Sequence, residues 1–322
     1  MMRPTQHLQG PAMRQLSVIA LLLPMLAAPA HAAPKAVVAD PQEIVLHFQP
    51  QPGDKLRQSM DMKMQMAMNM LPGPNTTDEQ RARMLEGAKQ MAKGMSMDMK
   101  MVIRSEASEA DAKGDYLLHM RGEGGQIRMN MPGSEAKNLP NPSADLEVDA
   151  LIHPNGAGAE ILRVKSGTLS TSKDSKMLDG LAEGVMQQAF GAMREMEGRR
   201  MKIGDSAEIP FNMQLPMQQL PADAKVNTTI AFKLKSISKG IAYFDTTVTM
   251  TMEMKSQEQE AKKMSMTMKG SGSGVMQYRI ADRLPMRQDM GITMLMDMTM
   301  PGDVSMQMDM KMQMAAKAER YK

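Results

Sequence analysis

Residues Met60–Met70 read MDMKMQMAMNM, with methionine at every second position for eleven residues. The same alternation returns at Met95–Met101, Met250–Met254, Met264–Met268, Met294–Met300 and Met306–Met314. Successive side chains of a strand point to opposite faces, whereas a helix would scatter these methionines around its circumference. The pattern therefore predicts strands with one methionine face and one polar face. Parity fixes their register. A one-residue slip would turn a whole methionine row to solvent and bury Asp61, Lys63, Asp309 and Lys311 instead, at several kcal/mol or more for unpaired charges. On this reading Met64→Asp destabilises markedly and Lys63→Asp is nearly neutral.

The remaining elements follow from local signals. Glu43–Phe48 (EIVLHF) reads as a short strand, and the turn Pro52-Gly53-Asp54 launches the first long one, which Pro72-Gly73-Pro74 stops. Thr77 and Gln80 form a capping-box pattern, and Met84, Leu85, Ala88, Met91 and Ala92 fall at helical spacing, so a short helix is expected at Asp78–Lys93. Met95–Ala107, Asp115–Arg121 and Gln126–Met131 read as successive antiparallel strands, with Gly122–Gly125 as a hairpin connection. Pro132–Ser143 reads as loop, and Leu146–His153 and Ala159–Val164 as a hairpin across Pro154-Asn155-Gly156. Between Ser172 and Gly198 the period changes: Met177, Leu181, Val185 and Ala189 make one stripe of an amphipathic helix. After Gly204-Asp205 and the proline-punctuated Ile209–Pro221 come strands at Val226–Ile237, Ile241–Met254, Met264–Ile280, Met286–Met300 and Val304–Met314. Gly270-Ser-Gly-Ser-Gly274 lies inside one of them, where bare backbone predicts a sharp bend or the close approach of another element.

The expected fold is mainly β, of α+β type, with long antiparallel strands in one bent sheet or two half-barrels. A central amphipathic helix and a short N-terminal helix complete it. The domain reading is a signal peptide at 1–32, an N-terminal β-rich half at 33–171, the central helix at 172–200, a C-terminal β-rich half at 201–315 and a polar tail at 316–322. Met60–Ala67 and Met308–Ala315 are both MDMKMQMA, and each follows a Pro-Gly-Asp turn. A shared structural role or an old duplication accounts for the repeat.

Composition sharpens this picture. The chain has 322 residues, 44 of them Met, with no Cys, no Trp and 3% aromatics, so thioethers replace much of the usual branched and aromatic core. Net charge is +3, and residues 1–32 hold Arg3, Arg14 and no acid, so the remainder is near neutral and makes no electrostatic case for nucleic acid or an anionic membrane. Arg14, the apolar run Leu16–Leu26 and the A-x-A site Ala30-His31-Ala32 have the form of a secretory signal, with Met1 or Met13 as start and cleavage near Ala32. The run is too short for a membrane span, and no transmembrane segment is expected in the mature chain. The expected location is the periplasm, or secretion outright.

The stretch from Ile44 through PGDKLRQSMDMKMQM resembles a family of exported bacterial proteins defined only by a domain of unknown function. LIHPNGAGAEILRV, the central helical segment, IGDSAEIP and GSGSGVMQYRIADRLPMRQDM fit that pattern too. Such sequences often carry an aromatic after Gly-Asp-Ser, where this chain has Ala207. The resemblance implies a bacterial envelope β-protein and supplies no functional residues.

Catalytic chemistry finds little support, so the chain is read as no enzyme and as needing no cofactor. There is no thiol and no G-x-S-x-G elbow, and the histidines beyond residue 32 are His47, His119 and His153. Each reads as structural. No H-E-x-x-H or Cys/His cluster offers a zinc site. The abundant group is the thioether. It can pack as a pliable apolar face, line a deformable surface for a lipid-like ligand, or bind monovalent copper. Neighbouring M-x-M sulfurs start about 6.6 Å apart at Cα, and His47 or His119 could add a nitrogen. Exposed methionine could instead serve as a sacrificial oxidant sink. The favoured reading is a non-enzymatic exported protein whose methionine face binds an apolar ligand or monovalent copper. Its candidate ligand-binding residues are Met60, Met62, Met64, Met66, Met97, Met99, Met296, Met298, Met308 and Met310. The alternatives are an oxidant sink or a purely structural envelope protein.

Overall fold

The computed structural model describes residues 42–47, 51–73, 76–92, 94–139, 146–153, 158–166, 191, 195–215, 224–255, 265–300 and 304–321. In chain order these form β1 (Glu43–Val45), β2 (Lys55–Leu71), α1 (Asp78–Met91), β3 (Met95–Ala107), β4 (Tyr116–Asn130), β5 (Lys137–Leu139), β6 (Leu146–His153) and β7 (Gly158–Ser166). Then come β8 (Arg200–Lys202), β9 (Ser206–Leu215), β10 (Ala224–Ser238), β11 (Ile241–Lys255), β12 (Ser265–Arg279), β13 (Leu284–Met300) and β14 (Val304–Arg320). The protein is mainly β and antiparallel. The central helix expected over 172–200 lies almost wholly outside the described residues.

One sheet of twelve strands carries the fold, in the order β7-β6-β4-β3-β2-β14-β13-β12-β11-β10-β9, with β5 paired to β4. The two β-rich halves are thus continuous: the first walks outward from β2, the second walks inward to β14, and β2–β14 is the seam. The repeated octapeptides lie side by side there, with Met62 opposite Met314, Met64 opposite Met312 and Met66 opposite Met310. The repeat opens one half and closes the other. A tandem duplication would have placed it at the same point in both, so the shared role at the seam is the better account. The stretch read as a polar tail continues β14 through Arg320, and the Tyr321 N–H donates to the Lys55 carbonyl at 3.1 Å.

Alternation sets the faces as parity requires. Met60, Met62, Met64 and Met66 are buried, while Asp61, Lys63 and Gln65 between them are exposed. Met308, Met310, Met312 and Met314 are buried, and Asp309, Lys311 and Gln313 are exposed. Apolar-in and polar-out is the reverse of a membrane-spanning barrel, whose outward band is apolar. The strand ends also differ. Met66–Met70, Met95, Met129, Met254, Met266, Met298 and Met306 gather at one end of the sheet. At the other end the buried face is built from Leu118, Leu234, Phe244, Ile152 and the tyrosines Tyr116 and Tyr278. A separate ribbon of β1 and β8 packs there, burying Ile44, Leu46 and Met201 in the same core. Burial, with the Glu197 charge a smaller contributor, holds both phenols well above their usual range.

Three elements depart from the local signals. Gly122–Gly125 is no hairpin: β4 runs straight through it. Val102 pairs with Gly124 and Ile103 with Gly122, so Glu123 is the extra residue of a bulge. The physical reason is parity. Tyr116, Leu118 and Met120 face inward on even numbers, Ile127 on an odd one, and one inserted residue reconciles them. The bulge points Glu123 outward to Arg57 at 3.0 Å and to Arg104. β9 is a strand despite Pro210, because it lies at the sheet edge in this order, where a missing N–H costs no ladder bond. β5 occupies part of the expected loop 132–143. The helix α1 forms as expected, and its first bond runs from the Arg81 N–H to the Thr77 carbonyl at 2.8 Å.

The glycines of β12 mark a close approach. A Cβ on Gly274 would lie 2.1 Å from the Asp289 carbonyl oxygen, and one on Gly272 would lie 2.7 Å from both the Gly291 oxygen and Ile292. The backbone of β13 occupies the space a side chain would need. Gly274→Ala should therefore lower stability by about 1–3 kcal/mol, whereas Ser273→Ala on the exposed face should change it by less than about 0.5 kcal/mol, as read from denaturant midpoints.

The Glu123 clamp gives a pH dependence. The hydrogen bond from Arg104, then that from Arg57, holds the Glu123 carboxyl below its ordinary value. A depressed folded-state pKa stabilises above the unfolded carboxylate value of about 4.3, and the contribution fades as pH falls through the folded value. Glu123→Gln should lower Tm at neutral pH, and the difference from wild type should shrink as pH falls below the unfolded carboxylate value of about 4.3.

Candidate functional site

Antiparallel pairing aligns the methionines into rungs that cross the sheet. The innermost rung with methionine on four adjacent strands runs Met99–Met62–Met314–Met290–Gly274–Thr246 from β3 to β11, one step outward of Met101–Met60–Ala316–Gln288–Met276–Phe244. The next is Met97–Met64–Met312–Ile292–Gly272, followed by Met95–Met66–Met310–Met294–Gly270 and by Met68–Met308–Met296–Met268–Met252. The outermost is Met70–Met306–Met298–Met266–Met254. Directly opposed Cβ atoms in such a ladder lie about 4.5–5.5 Å apart, so each thioether touches its cross-strand neighbours.

Exposure is graded along these rungs on β14, β13 and β12, whereas Met97 and Met95 on β3 and Met68 on β2 are already half-buried. On the innermost, Met62 and Met99 are 1% exposed, Met314 3% and Met290 4%. Three rungs outward, Met308 and Met296 reach 8%. On the outermost, Met70, Met306, Met298 and Met266 are half-buried, and only Met254 at its far side is fully enclosed. The fully buried methionines thus lie toward the aliphatic core and the half-buried ones at the methionine end. Leu71 and Leu85 stand exposed at the end of β2 and on α1, which packs against β2. Glycines at Gly270, Gly272 and Gly274 interrupt three rungs, and Met294, Ile292 and the β13 backbone stand in the space their side chains would need. The Thr246 hydroxyl sits on the innermost rung without a hydrogen-bond partner, against Gly274.

The structure brings all ten expected residues onto one face of four adjacent strands, β3, β2, β14 and β13. Met60, Met62, Met64, Met66, Met99, Met296, Met308 and Met310 are buried, and Met97 and Met298 are half-buried. Met290, Met294, Met312 and Met314 belong to the same face, as do Met252 and Met268 on β11 and β12. Their alternation carries the same signal.

The histidines lie elsewhere, which corrects the expectation that one adds a nitrogen to the thioethers. His47 sits at the aliphatic end, its Nδ1 2.5 Å from Glu197 and its backbone N–H donating to the Tyr278 hydroxyl at 3.1 Å. His119 lies on the outer face, 2.5 Å from Asp149, and His153 pairs with Asp115 at 3.0 Å. Among the described residues no group of three or more His, Cys, Asp or Glu side chains could hold a metal ion. Among them, too, no helix is long and apolar enough to cross a membrane.

No family model matches the chain, and no curated protein matches it. Among solved structures it has a likeness to the crystal structure of Pseudomonas aeruginosa OccK11 (OpdR), 6% identical over 86% of this chain and 100% of that one. The TM-score is 0.21, which carries no argument about either chain.

Register predicts how the face responds to charge. Met64→Asp would bury a carboxylate between Met312 and Met97 and should cost about 3–5 kcal/mol. On the outer face Lys63 stands opposite Asp98 on β3. Lys63→Asp would set two carboxylates face to face, so it should cost a few tenths of a kcal/mol, roughly, instead of being neutral. Lys63→Thr should be nearly silent. Thermal unfolding of the three variants checks the order.

Proposed function

We propose that this chain is an exported, non-enzymatic binding protein whose methionine face takes up an apolar, lipid-like ligand from the methionine end of the sheet. The graded exposure of the rungs is the observation that supports it. A face whose methionines are fully buried at one end and half-buried at the other offers a one-sided entrance of thioethers. Methionine suits such a lining, because an unbranched, polarisable side chain with three rotatable bonds can repack around varied apolar shapes. Each chain segment that replaces water against this face gains on the order of 25 cal/mol per Å².

The signal-like N-terminus and the resemblance to exported proteins support an envelope location. The polar outer face supports a protein that works in an aqueous compartment. The enclosed inner rungs disfavour a role as a bulk oxidant sink, which needs its sulfurs in water. Copper bound by thioethers with a histidine nitrogen is disfavoured by the positions of His47 and His119.

Native mass spectrometry of protein purified from the envelope fraction of its own cells tests the reading. A bound species of lipid mass, released on activation, is the expected result, together with saturable uptake of a fluorescent fatty acid by stripped protein. A ligand-free mass and no uptake would refute the proposal.

A further inference from the structure

The outermost rung has a chemistry of its own. Met70, Met306, Met298 and Met266 stand in register on four adjacent strands, and all four are half-buried. The methionines directly inward of Met306, Met298 and Met266 are Met308, Met296 and Met268, each at most 8% exposed, while on β2 the half-buried Met68 stands behind Met70 and the shielding begins at Met66. A soluble oxidant therefore meets a row of accessible thioethers in front of a shielded interior. We propose that this rung is a peroxide-modified lip: its conversion to methionine sulfoxide closes the methionine end to apolar ligands while leaving the sheet intact. The inference rests on the ligand reading above and adds its regulation.

The chemistry is a two-electron oxygen transfer from a hydroperoxide. A sulfur lone pair attacks the distal peroxide oxygen, the S–O bond forms and the O–O bond breaks. The peroxide proton ends on the departing oxygen as water or alcohol. Sulfur is oxidised and the peroxide is reduced. The product is a strong dipole where an apolar chain would pass, and an apolar ligand cannot hydrogen-bond it. At the lip, water can solvate that dipole, so the fold has little reason to fail. A sulfoxide on the innermost rung would be buried without a partner and would disrupt the core. Shielding of the inner rungs is what makes the modification local and, through methionine sulfoxide reductases, reversible.

Timed hydrogen peroxide treatment of the full chain, with oxidation mapped residue by residue by peptide mass spectrometry, reads the first half. The four lip methionines should oxidise at least about tenfold faster than Met62, Met99, Met290 and Met314, as expected of accessible over shielded sulfur. Equal rates would overturn the proposal. The second half uses a pyrene-labelled fatty acid as probe. Its affinity should fall at least about tenfold when the lip is oxidised, with the far-ultraviolet circular dichroism unchanged, and should return after reductase treatment. In the quadruple variant Met70→Leu, Met266→Leu, Met298→Leu, Met306→Leu, whose rung carries no sulfur, peroxide treatment should leave the variant's own probe affinity unchanged. Unchanged affinity after lip oxidation, or a peroxide effect that persists in the variant, overturns the lip and leaves the ligand reading standing. No probe binding before oxidation overturns both.

Discussion

A strand with methionine on every second residue can pair only with neighbours that keep the same parity, and this constraint runs through the whole sheet. At the seam the even residues of β2 meet the even residues of β14, and each later strand inherits the choice. Slipping any one of them by a residue would exchange thioethers for Asp61, Lys63, Asp309 or Lys311 in the interior. The charged outer positions thus act as a register device as well as a solvating face. Where the chain numbering breaks parity, the backbone yields. The bulge at Glu123 is the clearest instance, and it also supplies the carboxylate that Arg57 and Arg104 clamp.

The sheet divides along its strands. At the aliphatic end, tyrosine, phenylalanine and branched residues pack with the β1–β8 ribbon, and polar groups are tied down: the Tyr278 hydroxyl to His47, and Asp54 to Arg320 at 3.1 Å. At the methionine end the lining is almost purely thioether. Rigid, shape-specific packing thus gives way to a pliable surface within one continuous sheet. That gradient of side-chain chemistry runs parallel to the gradient of exposure. Together they motivate both an apolar ligand and a lip that oxidants can reach.

Much of this was legible in the sequence, because period-two methionine is a strong and local signal. β2, β11, β13 and β14, the hairpin of β6 and β7, and the glycine close approach on β12 all follow from spacing alone. What spacing could not supply was partnership. Nothing local says that β2 pairs with β14, the strand farthest from it in the chain, because that pairing depends on the path of the whole meander. The glycine-rich stretch of β4 imitates a turn, and only the shift from Met120 to Ile127 gives the bulge away. Pro210 hid β9 because a proline argues against a strand unless its edge position is known. The histidines' acid partners were not legible either, because Asp149 comes opposite His119 only through the β4–β6 pairing, and Glu197 meets His47 from 150 residues away in the chain.

The central claim is a methionine face that is shielded at one end and accessible at the other. Methyl NMR of protein labelled with 13C at the methionine methyl groups, titrated with a soluble gadolinium chelate, reports it directly. Relaxation enhancement should be greatest at Met70, Met306, Met298 and Met266, weaker rung by rung, and least at Met62, Met99, Met290 and Met314. Uniform enhancement along the rungs, or strongest enhancement at the innermost one, would contradict the account.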